Sequence, residues 1–84
     1  MSRLKTTLID IASALVDNPG EISVVEIEKE NNNVTLELSV APGDMGKVIG
    51  RHGKIAKAIR VVMKAAANAE GKKVTVDIND QDED

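Results

Sequence analysis

The residues of this chain best suited to chemistry are concentrated in one string, Met45-Gly46-Lys47-Val48-Ile49-Gly50-Arg51-His52-Gly53-Lys54-Ile55. Gly50 and Gly53 bracket two residues, and the apolar spacing on either side reads as a short helix before them and a longer one after. A Gly-x-x-Gly link of this kind lets the backbone turn tightly and brings peptide N–H groups to the surface. The second glycine precedes a helix N-terminus, where N–H groups are unpaired and the dipole is positive. Together these features make a cradle for phosphate oxygens. Arg51, His52 and Lys54 add nearby donors, and an arginine can grip a phosphate with two parallel hydrogen bonds. The plain alternative is a helix–helix corner that needs glycine for geometry alone.

Other glycine-rich phosphate motifs fit poorly. A P-loop at Gly46-Lys47 needs glycine at 41 and Ser or Thr at 48, where the chain has Ala41 and Val48. A dinucleotide fingerprint also fails, because Val48 stands where glycine is required. A helix-hairpin-helix DNA motif is the closer rival, since it too sets a glycine-bearing turn against phosphate.

The chain of 84 residues carries a formal net charge of −3, which argues against a polyanionic ligand until the distribution is considered. Residues 45–64 hold Lys47, Arg51, Lys54, Lys57, Arg60 and Lys64 with no Asp or Glu among them. Local potential governs binding to a polyanion, and whole-chain charge is a poor proxy for it. The competing reading of these cations is a solvated helix face. Phe, Tyr and Trp are all absent, which removes the aromatic platforms on which many nucleic-acid binders stack bases. Base contacts must use aliphatic side chains, arginine planes, the single imidazole or the backbone.

Composition excludes several function classes. Without cysteine there is neither a disulfide framework nor thiolate ligation, and one histidine with scattered carboxylates makes no metal or cofactor site. Asp10, Glu26 and Glu37 fall on different elements, and His52 sits in a basic loop without a plausible nucleophile, so no enzyme is expected. No apolar run approaches the roughly 18 residues of a membrane span. Asp10 interrupts what could be a leader core, so membrane insertion is not expected and a cytoplasmic location is.

The elements that must position the loop follow from periodicity. Leu4, Leu8, Ile11, Ala12, Leu15 and Val16 mark an amphipathic helix over residues 3–16, stopped at Asn18-Pro19-Gly20. Residues 21–30 are rich in β-branched types and read as a strand, though the alternation slips between Val24 and Val25. The slip predicts a bulge, or a strand that starts only at Val24. Asn31-Asn32-Asn33 signals a turn, and Val34, Leu36, Leu38 and Val40 alternate with polar residues in a second, half-buried strand. Asp44 is placed to N-cap a short helix over 45–49. The longer helix carries Ile55, Ile59, Val62 and Ala66 at helical spacing, and Gly71 suits its C-terminal cap. Val48 and Ile59 read as core, Ile49 as either core or groove lining, and Ile55 is open. A third strand over 72–79 has Val74, Val76 and Ile78 on one side. The expected domain is residues 1–79, followed by an acidic, disordered tail over 80–84. The fold class is α+β in the order α-β-β-α-α-β. Three helices cover one face of a three-stranded mixed sheet, with the second strand central, the first antiparallel to it and the third parallel.

On these residues the sequence resembles a known family. Val48-Ile49-Gly50-Arg51-His52-Gly53 is similar to the core signature of a KH domain, and the element order resembles the bacterial type II KH topology. The longer string from Leu38 to Gly50, continued by Ile55-Ala56-Lys57-Ala58-Ile59-Arg60, resembles the small bacterial single-KH proteins of the KhpA family. The likeness runs from the first helix to the third strand. It implies that Gly50, Arg51, His52 and Gly53 clamp the backbone of about four nucleotides of single-stranded RNA. It also implies an RNA chaperone or post-transcriptional regulator linked to cell shape, cell-wall and envelope homeostasis. The partners it implies are a second copy, as a homodimer, and a larger KH/R3H protein of the KhpB type. One position departs from many KH domains: Ala56 stands where a large aliphatic is usual, so the groove floor is expected to be shallower.

The expected RNA-binding set is Lys47, Ile49, Gly50, Arg51, His52, Gly53, Lys54 and Lys57, with Arg60 and Lys64 extending a phosphate track or facing a partner. Two other readings stay open. One is a protein-interaction or scaffold subunit with a KH-like fold, and the other is single-stranded DNA binding by the same loop.

Overall fold

The computed structural model describes residues 3–78. Asn79 and the expected acidic tail over 80–84 lie outside the described residues. The elements run α1 (Arg3–Leu15), a single 3₁₀ turn at Pro19–Glu21, β1 (Ser23–Lys29), β2 (Asn33–Ser39), a second 3₁₀ turn at Pro42–Asp44, α2 (Met45–Ile49), a third at Arg51–Gly53, α3 (Lys54–Ala69) and β3 (Lys73–Ile78). The sheet order is β1-β2-β3, with β1 antiparallel and β3 parallel to the central β2. This is the α+β, α-β-β-α-α-β arrangement expected from the periodicities.

Local chemistry explains the connections. Asn31 and Asn32 both have φ of 62°, so the β1–β2 hairpin closes through two left-handed residues, a conformation asparagine tolerates. After α3, the Gly71 N–H bonds the carbonyl of Asn68 and the Lys72 N–H bonds that of Ala67, with Gly71 at φ 71°. That is the two-bond glycine termination of a helix. It reverses the chain directly into β3.

The slip in β1 is not a bulge. Pairing with β2 is continuous from Ser23 opposite Ser39 to Lys29 opposite Asn33. Val24 is buried under the helices, whereas Val25 and Ile27 are exposed on the open face. An edge strand tolerates this mismatch because its inward positions toward the end of the hairpin, Glu26 and Glu28, lie at the margin of the core.

The core joins Leu4, Leu8 and Ala12 of α1, Leu36 and Leu38 of β2, Val48 of α2, Ile59, Met63 and Ala67 of α3, and Val76 of β3. The buried stripe of α3 is Ala56, Ile59, Met63 and Ala67. Of the expected stripe, Ile59 lies at its centre, while Ile55 and Ala66 are half-buried and Val62 is 50 % exposed. A helix can turn either of two neighbouring apolar stripes inward. The small Ala56 and Ala67 let α3 lie close on the sheet, and Ile55 and Val62 are left facing α1. No helix among the described residues is long and apolar enough to cross a membrane.

Candidate nucleic-acid interface

The loop between α2 and α3 has positive φ at three of its four residues, Gly50, His52 and Gly53. Gly50 closes α2 by donating its N–H to the Gly46 carbonyl at 2.9 Å and adopts φ 77°, ψ 173°, a region essentially restricted to glycine. His52 is left-handed at φ 58°, ψ 24°, and Gly53 follows at φ 74°, ψ 16°. The Gly53 N–H returns to the Gly50 carbonyl at 3.1 Å and pulls the turn tight.

The two glycines serve different purposes. A Cβ on Gly50 would lie 2.6 Å from Ile55 Cγ1 and 2.9 Å from both the Ile55 Cβ and its backbone N. Gly50 is therefore wedged against the first turn of α3, and no side chain fits. A Cβ on Gly53 would meet nothing within 4 Å. The space over Gly53 is open, beside a helix N-terminus, and a phosphodiester could approach the backbone there.

Around this turn Arg51, His52, Lys54 and Lys57 are exposed, and the fold brings them to one end of α3. Ile49 and Ile55 are half-buried and pack against the core from either side of the loop. Farther down α3, Arg60 donates from Nε to the Val76 carbonyl at 3.1 Å, which pins its stem across the α3–β3 seam and leaves the outer guanidinium edge exposed. Lys57 and Lys64 are exposed and stand three residues before and four after Arg60, a spacing that puts the three cations on one face of α3 in a row leading away from the loop.

Lys47 stands apart from that row. Its Nζ lies 3.4 Å from Asp17 Oδ2 and 3.8 Å from Asp44 Oδ1. Asp44, expected as the N-cap of α2, makes no side-chain capping bond. It is instead buried, at 2 % exposure. Its Oδ2 accepts the Asn18 backbone N–H at 3.0 Å and the Asn18 side-chain amide at 3.3 Å. Burial pushes its carboxyl up, but the Asn18 and Asp17 backbone N–H groups, the Asn18 amide and Lys47 outweigh that and hold it below the ordinary aspartate value. The side chain is drawn away from its own helix because the Asp17–Asn18 turn brings donors into reach from 26 residues away. Asp44 thus ties the end of α1 to the start of α2, and through α2 it supports the loop. Sequence reasoning missed Asp17 and Asn18, and the only local hint was the Asp44–Lys47 spacing of three residues.

Among the described residues no group of His, Asp or Glu is placed to hold a metal ion. The arrangement can bind an extended anion along a shallow surface.

Comparison with known proteins agrees with this geometry. The family model for the KhpA/KhpB KH domain matches residues 5–78. The RNA-binding protein KhpA of Clostridium acetobutylicum is 56 % identical over 75 residues, covering 89 % of this chain and 99 % of that protein. The RNA-binding protein KhpA of Clostridium perfringens is 57 % identical over 68 residues, 81 % of this chain and 89 % of its own. That of Aquifex aeolicus is 44 % identical over 78 residues, 93 % of this chain and 98 % of its own. The match takes in all three helices, all three strands and the glycine-bracketed loop, and on that evidence the chain belongs to the KhpA/KhpB KH-domain family.

Proposed function

We propose that this protein binds single-stranded RNA, without catalysis, by clamping the sugar–phosphate backbone at the Gly50–Gly53 loop. The observation that carries this reading is the open backbone at Gly53 beside the N-terminus of α3, ringed by exposed Arg51, His52, Lys54 and Lys57. Ile49 and Ile55 supply aliphatic contact beside the clamp, and Lys47, on the α2 side of it, reaches phosphate only by leaving the carboxylates of Asp17 and Asp44 that hold its ammonium group. Relatives named as RNA-binding proteins support RNA as the ligand. With no Phe, Tyr or Trp in the chain, backbone contacts dominate and sequence preference is weak.

The test is the affinity for a short single-stranded RNA across a salt series, for the wild type and for the double substitution Arg51→Asp with His52→Asp. Both side chains lie at the loop tip, so the fold should persist while binding is lost. Wild-type affinity in the folded double variant refutes the site. Single-stranded DNA of the same sequence, run in parallel, separates recognition of the 2′-hydroxyl from plain phosphate binding.

The same reading includes a homodimer. Val61 and Val62 are 68 % and 50 % exposed on α3. Beside them an apolar groove of about 350 Å³ runs between α1 and α3, lined by Ile11, Leu15, Ile55, Ala58 and Val62. A second copy seated there would double the number of RNA grips and raise a weak single-site affinity through effective concentration. Sedimentation of the wild type against Val62→Lys tests it, with a monomeric wild type as the refuting result. Family membership supports three further elements of this proposal: a cytoplasmic RNA chaperone role, a link to cell-shape and envelope homeostasis, and pairing with a KhpB-type KH/R3H protein.

A further inference from the structure

Lys47 is three residues from Gly50, at the edge of the cationic loop, yet its ammonium group is shared by two carboxylates. The two are unequal. Asp44 is buried and fixed by Asn18, so its position is set by the fold. Asp17 is 76 % exposed, makes the closer contact with Lys47, and sits on the turn after α1. Three charges, two negative and one positive, therefore meet beside the phosphate grip. They leave that flank net negative, while the other flank carries Arg51, Lys54 and Lys57.

We propose that Asp17 is a tuning residue for the RNA grip. It holds Lys47 out of the phosphate track and so sets where the track ends. This rests on the reading of the Gly50–Gly53 loop as an RNA clamp. The physical basis is competition for one ammonium group. A lysine is a compact charge on a flexible stem, and it can exchange a carboxylate for a phosphate oxygen by rotating. In the free protein the exposed carboxylate of Asp17 occupies it. A phosphate arriving at the α2 side of the loop must displace Asp17, and part of its binding energy is used in doing so. Removing Asp17 leaves Lys47 with the fixed Asp44 alone and frees its outward donors. The benefit of such a restraint is selectivity. A grip that works through phosphate gains affinity for every polyanion as cations are added, so a carboxylate that withholds one cation favours ligands that also fit the loop.

The experiment is a two-by-two cycle of Asp17→Asn and Lys47→Met, read as affinity for a labelled single-stranded RNA over a salt series. Asp17→Asn is isosteric and exposed, so folding is preserved, which circular dichroism checks. Alone, it should tighten RNA binding roughly 1.5- to 5-fold, the range of coupling found for exposed ion pairs. It should also steepen the log–log salt slope by up to about 0.7, the contribution of one added phosphate contact on a single strand. In the Lys47→Met background the tightening should fall to less than half of that on a logarithmic scale. Equal tightening in both backgrounds means that Asp17 merely repels RNA, and the proposal fails. No tightening in a wild type that binds RNA also overturns it, while leaving the clamp intact. A wild type whose binding survives the Arg51→Asp, His52→Asp double substitution removes the clamp itself, and with it this inference.

Discussion

Alanine at Gly50 should cost this fold several times what alanine costs at Gly53, although both glycines belong to one loop and both have positive φ. At Gly53, φ 74° and ψ 16° place the residue in the left-handed helical region, with open space where a Cβ would stand. The penalty there is conformational, about 1–2 kcal/mol, offset by about 0.4–1 kcal/mol from the stiffer unfolded chain. A net loss near 1 kcal/mol lowers the melting temperature of a domain this size by about 4–8 °C. At Gly50, φ 77° and ψ 173° lie where only glycine is at ease, and this costs about 1–3 kcal/mol. The new Cβ would also sit 2.6–2.9 Å from three atoms of Ile55, one of them backbone. The Ile55 side chain can rotate, but its N and Cβ cannot move without shifting the first turn of α3. Overpacking of this kind adds about 1–3 kcal/mol. The sum, about 2–6 kcal/mol before the same unfolded-state offset, is a large part of the roughly 4–13 kcal/mol available to 84 residues. Urea unfolding of the two variants under identical conditions measures the difference, with equal slopes confirming that the midpoints are comparable. A Gly50→Ala midpoint equal to or above that of Gly53→Ala would refute the reasoning. It would show that Ile55 and α3 yield more easily than the packing implies. A practical consequence is that Gly50 variants report on folding, and RNA contact is better probed at Arg51, His52 and Gly53.

Other outcomes follow from the same geometry. Lys57→Ala should leave the melting temperature unchanged and lower the log–log salt slope of RNA binding by about 0.7; an unchanged slope would place Lys57 off the track. Arg60→Met removes the bond to the Val76 carbonyl and should lower stability by about 1 kcal/mol, or about 4–8 °C by calorimetry. Asp44 has its carboxyl held below the ordinary aspartate value, so its charge stabilises the fold above the unfolded-state pKa of about 3.9. That contribution is lost as pH falls through the lower folded value. The stability gap between wild type and Asp44→Asn should therefore be flat from about pH 7 to 5 and close only below about pH 4. A gap that closes near neutrality would point to a different titrating group.

Much of this protein was legible in its sequence because the signals are local. The helix stop at Pro19, the paired asparagines of the hairpin, the alternation from Val34 to Val40 and the glycine at 71 each act on backbone dihedrals within a few residues. Such signals place elements in order, and the order with its loop lengths yields the mixed three-stranded sheet. The Gly50–Gly53 loop and the cations around it were readable for the same reason, since a Gly-x-x-Gly turn and a charge run are both contiguous.

Tertiary structure decided what depends on which surfaces meet. Helical periodicity offered α3 two adjacent apolar stripes, and packing on the sheet selected Ala56, Ile59, Met63 and Ala67, leaving Val62 half-exposed in the groove beside α1. The slip in β1 became an ordinary register because an edge strand can expose Val25 and Ile27. Asp44 has the sequence of a helix cap, but Asn18 offers it two donors and a buried site across the fold. Lys47 belongs to the cationic run by sequence and to Asp17 and Asp44 by structure. In each case the outcome is set by energies between groups far apart in the chain, and a local pattern carries no record of those.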